Sequence, residues 1–311
     1  MARNPAALPQ LGHQLFLTDG GIETTLIFLD GLELPDFAAF QVLKTPAGAA
    51  TLRKYFRSYA AIAKCFGTGL ILESATWRAS TDWGRRLGYT TAMLAETNRQ
   101  AIQLLEEVRR EYESIPVVIS GCLGPRGDGY IAGHAMSERE AEVYHRDQIE
   151  TFAATAADMV CAITMTYREE AIGITRAARQ AGLPVAISFT VETDGKLPTG
   201  QTLRSAIEQV DAATSGYPAY YMVNCAHPTH FVHVLTGAGS WLKRIRGLRA
   251  NASCKSHAEL NDSTALDSGN PGEFGTQYAE LKKRLPHLTV MGGCCGTDHR
   301  HIEKIAEACS G

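Results

Sequence analysis

Eight short apolar runs punctuate the chain: Leu15–Gly21, Thr68–Ser74, Pro116–Cys122, Asp158–Thr164, Pro184–Val191, Ala219–Cys225, Leu248–Ser253 and Leu288–Cys294. Most are continuous and do not alternate with polar residues, which is the pattern of parallel strands covered on both faces. The segments between them carry helix signals. Thr45-Pro46 places a cap and a first-turn proline ahead of Leu52, Phe56, Tyr59, Ile62 and Ala63, which share one helical face before Gly67 stops the run. Ser137 with Glu140 reads as a capping box, and the helix through Arg176 closes at Gly182. Proline restarts the chain as a strand at Pro116, Pro184 and Pro218. Eight strand–helix units without a linker-like break predict an α/β chain, a single (β/α)8 TIM barrel over residues 1–311 with residues 1–12 as an N-terminal tail. A doubly wound, two-domain α/β protein is the weaker alternative.

Composition narrows the function classes. The 311 residues are 45% hydrophobic and carry a net charge of −3, with no charge block or low-complexity tract. No apolar run reaches the roughly 18 residues of a membrane span, and Met1-Ala2-Arg3-Asn4-Pro5 lacks the apolar core of a signal peptide. A cytoplasmic location is the default expectation, without a membrane partner. Near-neutral charge without Lys/Arg clustering argues against a nucleic-acid partner. Oligomeric state is not legible, because an apolar outer helix face and an interface look alike in one dimension.

The cysteines change the picture most. The chain has eight, two of them adjacent, which does not resemble a disulfide framework. Consecutive side chains on a strand point to opposite faces, so Cys294 and Cys295 can face one ion only where the backbone turns. Gly292, Gly293 and Gly296 permit such a turn. In the barrel register Cys225 ends the sixth strand and Cys294-Cys295 end the eighth, and strands of equal parity feed the same layer. Three thiols then converge at the C-terminal mouth as candidate Zn²⁺ ligands. The plain alternative is that they pack as small hydrophobes. Three thiolates leave one tetrahedral position open, as in catalytic zinc sites. So electron-rich a set suits holding a substrate thiol as its thiolate better than activating water. Cys122 and Cys254 follow strands three and seven but lack the glycine setting, while Cys65, Cys161 and Cys309 read as packing residues. His227, His230 and His233 read as a stripe at the start of the sixth helix, with only His227 near the mouth.

Thr18-Asp19-Gly20-Gly21 after strand one, Asn224-Cys225 after strand six and Gly292-Gly293-Cys294-Cys295-Gly296-Thr297 after strand eight resemble the homocysteine S-methyltransferase family. That family includes S-methylmethionine- and betaine-dependent enzymes and the homocysteine module of cobalamin-dependent methionine synthase. The resemblance covers essentially the whole chain. It implies a zinc-dependent methyltransferase with Cys225, Cys294 and Cys295 as metal-binding and catalytic residues, and with Asp19 near the homocysteine amino group. Substrate contacts are expected at Asp19, Gly20, Gly21, Glu73, Trp77 and Asn224. The methyl group would pass from a small onium donor, of the S-methylmethionine, S-adenosylmethionine or betaine type, to homocysteine, giving methionine. No folate or cobalamin module is visible, so a free small-molecule donor is the simplest expectation; a separate corrinoid protein is the alternative.

Departures from the pattern bear on the acceptor. Relatives end strand four with Glu-Thr or Glu-Tyr, whose glutamate helps hold the homocysteine ammonium, whereas this chain has Ala162-Ile163-Thr164-Met165. Ile163 cannot accept a hydrogen bond or balance a cation. Unless Glu73 or Glu192 takes over, amino-acid recognition is weakened. A different thiol, or thiol and zinc binding without methyl transfer, are the alternatives. Trp77 could meet a cationic donor with its ring, and Arg78 could grip a carboxylate; a packed loop tryptophan and an exposed arginine are the plain readings. Gly124–Gly129, Glu192–Thr202 and Lys255–Gly275 are long polar loops leaving the catalytic face, expected to select the donor. Asn251 loosely matches an asparagine of some relatives.

Overall fold

The computed structural model describes residues 8–310 other than 134 and 264. Its eight strands are β1 Phe16–Leu17, β2 Gly69–Glu73, β3 Val117–Leu123, β4 Met159–Met165, β5 Val185–Thr190, β6 Tyr220–Asn224, β7 Ile245–Ala250 and β8 Val290–Gly293. They pair in sequential order, all parallel, and β8 returns to β1 to close a (β/α)8 barrel. Around it run α1 Ile22–Thr24, α2 Pro46–Phe66, α3 Thr81–Arg86, α4 Thr91–Glu111, α5 Glu138–Ala153, α6 Arg168–Gln180, α7 Leu203–Thr214, α8 Pro228–Phe231, α9 His257–Asn261, α10 Pro271–Arg284 and α11 His299–Cys309. Among the described residues no helix is long and apolar enough to cross a membrane.

Local chemistry explains the long helices. Thr45 accepts from the Gly48 N–H with Pro46 in the first turn, and Gly67 closes α2 in the left-handed region at φ 64°. Leu52, Phe56, Tyr59 and Ala63 are buried against the barrel, while Ile62 is half-buried. The Ser137–Glu140 capping box starts α5 with both of its hydrogen bonds made.

Three elements differ from the sequence pattern. β1 is only two residues long; Thr18 and Asp19 still exchange backbone hydrogen bonds with Met291 and Gly293 of β8, and the chain turns into the mouth at Gly20-Gly21. β7 begins at Ile245, ahead of the expected Leu248; Arg246 disguises it, its guanidinium reaching outward to the carbonyls of Leu11 and Gly12. After β6 the helix is a single turn, α8, and the wall is completed by a 3-10 segment, Ser240–Arg244, that buries Trp241 and Leu242.

The expected tail is corrected for its second half. Leu8 and Leu11 pack under Phe16, Ile71, Val118 and Met159, and the Thr289 hydroxyl donates to the Gln10 carbonyl. Residues 8–12 therefore plug the N-terminal end of the barrel, because an apolar barrel floor needs a cover. Residues 1–7 lie outside the described residues.

The seam between β8 and β1 is tight. A Cβ on Gly292 would overlap the Thr18 hydroxyl, and one on Gly293 would overlap the Thr297 hydroxyl. We expect Gly292→Ala to destabilise the fold by about 1–3 kcal/mol through overpacking. Equilibrium urea unfolding reads this as a lower midpoint at unchanged slope; an unchanged midpoint would mean that the seam spreads freely.

Candidate active site

The turn after β8 and the end of β6 bring three sulfurs together. The Sγ atoms of Cys225, Cys294 and Cys295 lie within 4.8 Å of one another, with Cys225 and Cys295 at 3.9 Å. Sulfurs bonded to one tetrahedral ion at about 2.3 Å sit roughly 3.8 Å apart, so this donor set fits a metal such as zinc. Cys225 reaches its place through left-handed backbone, φ 53°, and Gly296 does the same for the doublet at φ 79°. The Cys294 N–H stays tied to the Ala250 carbonyl of β7, and the Cys225 N–H to the Arg249 carbonyl. Tyr130, from the loop after β3, has its hydroxyl 3.2 Å from Cys295 Sγ, and its ring stacks on His257 with centroids 4.2 Å apart. Hydrogen bonds from Cys225, Cys294 and Tyr130 hold the Cys295 thiol well below the ordinary range, whereas Cys225 is pushed up by its two sulfur neighbours. One of three clustered thiols thus ionises far more readily than the others.

The three cysteines line a cavity of about 340 Å³. Its floor holds an ion triad. Arg249 donates from Nη2 to Asp19 Oδ1 and from Nη1 to Glu73 Oε2, each at 2.6 Å, and from Nε to the Gly293 carbonyl. The second Asp19 oxygen accepts from the Tyr55 hydroxyl at 2.9 Å. Burial raises the Asp19 pKa and takes Glu73 to about 7, against the pull of Arg249. Two carboxylates therefore share one guanidinium, and both are occupied before any ligand arrives.

The other sequence candidates divide. Gly20 and Gly21 line the cavity, and the Gly21 N–H donates to Thr297; a Cβ on Gly21 would press on the Cys294 carbonyl at 2.6 Å. Asn224 is fully buried and faces its neighbours: its Oδ1 accepts from Ser188 and from the Thr164 N–H, while its Nδ2 donates to Thr164. It fixes Thr164, itself left-handed at φ 67°, and is not among the cavity-lining residues. Trp77 lines the cavity with its indole N–H donating to the Ile163 carbonyl at 3.3 Å. One face of its ring is covered by Arg78, 4.1 Å from the centroid. Arg78 is buried, not exposed, and is clamped on its other side by Trp83 at 3.6 Å. Ile163 lines the cavity as an apolar wall. Cys122 also lines it, whereas Cys254 is exposed. His227 caps α8, His230 faces the Cys254 carbonyl and His233 lies past the helix beside the Asp194 carbonyl. Asn251 is buried outside the cavity lining. Loop residues Asp128, Gly129, Tyr130, Leu260, Asn261, Ser263 and Ala265 to Asp267 reach the cavity; no described residue of the Glu192–Thr202 loop lines it, and Glu192 pairs instead with His257 at 3.1 Å.

Several lining residues carry no sequence signal of their own. The segment after β1 supplies Glu23, Ile27, Phe28 and Phe37, with Phe28 and Phe37 about half exposed at the rim. Arg249 and His257 were equally unmarked, although a lone charge inside the apolar run of strand seven is a usable clue, since such a charge must find a partner inside the barrel.

The family model described as homocysteine S-methyltransferase matches residues 16–309. The chain belongs to that family. Over 97% of its length it is 24% identical to a methionine synthase of Mycobacterium leprae, and over 61% it is 26% identical to betaine–homocysteine S-methyltransferase 1 of Bos taurus. It spans 25% and 51% of those relatives' own lengths. The homocysteine methyltransferase of Escherichia coli, solved in an oxidized form, superposes with a TM-score of 0.74 at 20% identity, covering 98% of this chain and 99% of that one. Its metallated form gives 0.72 at 18% identity. At this identity the superposition speaks for the barrel fold alone.

Two outcomes are expected from the site. Zinc-loaded protein should retain a single ion per chain by metal analysis, lost in Cys294→Ala and kept in Cys254→Ala; retention in the former would remove the trio as the binding site. Arg249→Met leaves two buried carboxylates unpaired and should cost about 3–5 kcal/mol in urea unfolding. A loss below about 1 kcal/mol would mean that Asp19 and Glu73 take up protons instead.

Proposed function

We propose that this chain is a zinc-dependent S-methyltransferase that moves a methyl group from a small onium donor to the sulfur of homocysteine, giving methionine. The observation that carries the reading is the convergence of Cys225, Cys294 and Cys295 on a cavity at the barrel mouth. Zn²⁺ held by these three sulfurs would keep a fourth position for an incoming thiol and lower its pKa, so that the nucleophile is the thiolate.

The chain's own residues do the rest. Gly20 and Gly21 let the backbone after β1 lie against the cysteine turn, and Arg249 fixes Asp19 and Glu73 so that the floor is rigid and largely charge-compensated. Tyr130 orients Cys295 through its hydroxyl. In the reaction a sulfur lone pair forms the S–CH₃ bond as the methyl leaves its onium centre, which departs neutral. Negative thiolate and positive donor cancel along the path, so no proton transfer is needed and a cavity shielded from water favours the charge-dispersed transition state. Phe28, Phe37 and Trp77 line the cavity with aromatic surface suited to a cationic methyl donor. S-methylmethionine, S-adenosylmethionine and betaine all fit that description. With all eight cysteines free, a reducing, cytoplasmic setting suits the chemistry.

A different thiol acceptor is the second reading, favoured by Ile163 in the cavity wall. The test is a product assay on reduced, zinc-loaded protein, with homocysteine and the three donors in parallel and methionine read by mass spectrometry. Methionine from one donor is the expected result. None from any donor, with zinc verified, would overturn the homocysteine assignment.

A further inference from the structure

Three charged side chains in the cavity wall, Glu23, Arg78 and Asp128, have no ion-pair partner among the described residues, and of these Asp128 is engaged by the Tyr130 and Ile131 N–H groups. Glu23, in the turn of α1, is half-buried, and its carboxylate makes no hydrogen bond beyond its own backbone N–H. Burial and the neighbouring Cys294 and Asp19 take its pKa to about 7, the behaviour of a carboxylate lacking a cation. Arg78 is 5% exposed and lies sandwiched between Trp77 and Trp83. Its Nη1 donates to the Gly127 carbonyl at 2.9 Å, but its buried Nε has no partner and its Nη2 makes no hydrogen bond. Burial lowers its pKa to about 10, so it remains charged at neutral pH.

Asp128 acts on this guanidinium through space but forms no ion pair with it, and leaving it without a contacting carboxylate is costly unless a ligand supplies one. Two aromatic plates hold it, so it is presented already oriented, and its free edge suits a two-oxygen anion. Glu23, Arg78 and the three sulfur-bearing residues Cys225, Cys294 and Cys295 all line the same cavity. Of the other lining carboxylates, Asp19 and Glu73 are bound to Arg249, Asp128 accepts from the Tyr130 and Ile131 N–H groups and Asp267 from Ser253 and the Gly269 N–H, which leaves Glu23 as the one open to a cation.

We propose that Glu23 and Arg78 together read the zwitterionic end of an amino-acid thiol: Glu23 takes its ammonium and Arg78 its carboxylate, while its sulfur is held at the cysteine trio. The assignment rests on the thiol-acceptor reading above and names the groups that confer acceptor specificity where Ile163 contributes only an apolar wall.

The test measures binding, separately from turnover. Zinc-loaded wild type, Glu23→Gln and Arg78→Met are titrated calorimetrically with homocysteine, with its ammonium-free analogue mercaptobutanoate, and with its carboxylate-free analogue aminopropanethiol. Glu23→Gln should weaken homocysteine and aminopropanethiol roughly ten- to hundredfold and leave mercaptobutanoate within about twofold; Arg78→Met should spare aminopropanethiol and weaken the other two by the same order. The spared thiol in each case shows that the variant is folded with its sulfur site intact. Should Arg78→Met not fold, Arg78→Lys keeps the charge and loses the two-oxygen grip, and should still weaken the two carboxylate-bearing thiols. Equal losses for all three thiols, or unchanged homocysteine binding, overturn the assignment. A wild type that methylates homocysteine yet does not prefer it to either analogue refutes the pair alone; a zinc-loaded wild type that binds no thiol refutes the acceptor reading as well.

Discussion

The closed barrel hangs on one buried guanidinium. Arg249, on β7, reaches across the mouth to Asp19 after β1, to Glu73 at the end of β2 and to the Gly293 carbonyl of β8. This is where the ladder is thinnest, since β1 contributes only two paired residues on each side. Coulomb attraction in a low-dielectric interior there adds to the backbone hydrogen bonds that Thr18 and Asp19 keep with β8. The same contacts hold the Asp-Gly-Gly turn against the cysteine turn, so closing the barrel and shaping the cavity are a single event.

A chemical division of labour follows. Carboxylates are costly to bury, and of the five that line the cavity Asp19 and Glu73 are neutralised by Arg249 and Asp128 and Asp267 are held by hydrogen bonds, while Glu23 and the clamped Arg78 are left for ligands. Asn224 is similarly spent on the frame, holding Thr164 in a backbone conformation that a threonine rarely adopts. A residue next to a clustered thiol in sequence can thus serve a neighbouring strand's backbone and not line the cavity.

The barrel was legible because continuous apolar runs repeat eight times, with caps and stop signals marking several of the helices between them, and each rests on local chemistry. The thiol trio was legible because strand parity and a glycine-flanked doublet are one-dimensional facts with three-dimensional consequences. What escaped was long-range and polar: Asp19 finding Arg249 across more than two hundred residues, Glu23 facing the cavity from a one-turn helix, and Arg78 sandwiched by two tryptophans. None has a period or a spacing, since each depends on where the closed barrel delivers side chains that are ordinary in sequence. The start of β7 failed for a related reason, with Arg246 outside the barrel looking like a break in an apolar run.

The sulfur trio also makes the last strand thermodynamically visible. One thiol comes from β6 and two from the turn after β8, so a chain whose final unit has not docked offers Cys225 alone. An ion that needs all three sulfurs binds the closed form almost exclusively and stabilises it by mass action. Metal affinity then becomes a gauge of barrel closure, and loosening the β8–β1 seam weakens ion retention even where no sulfur is touched.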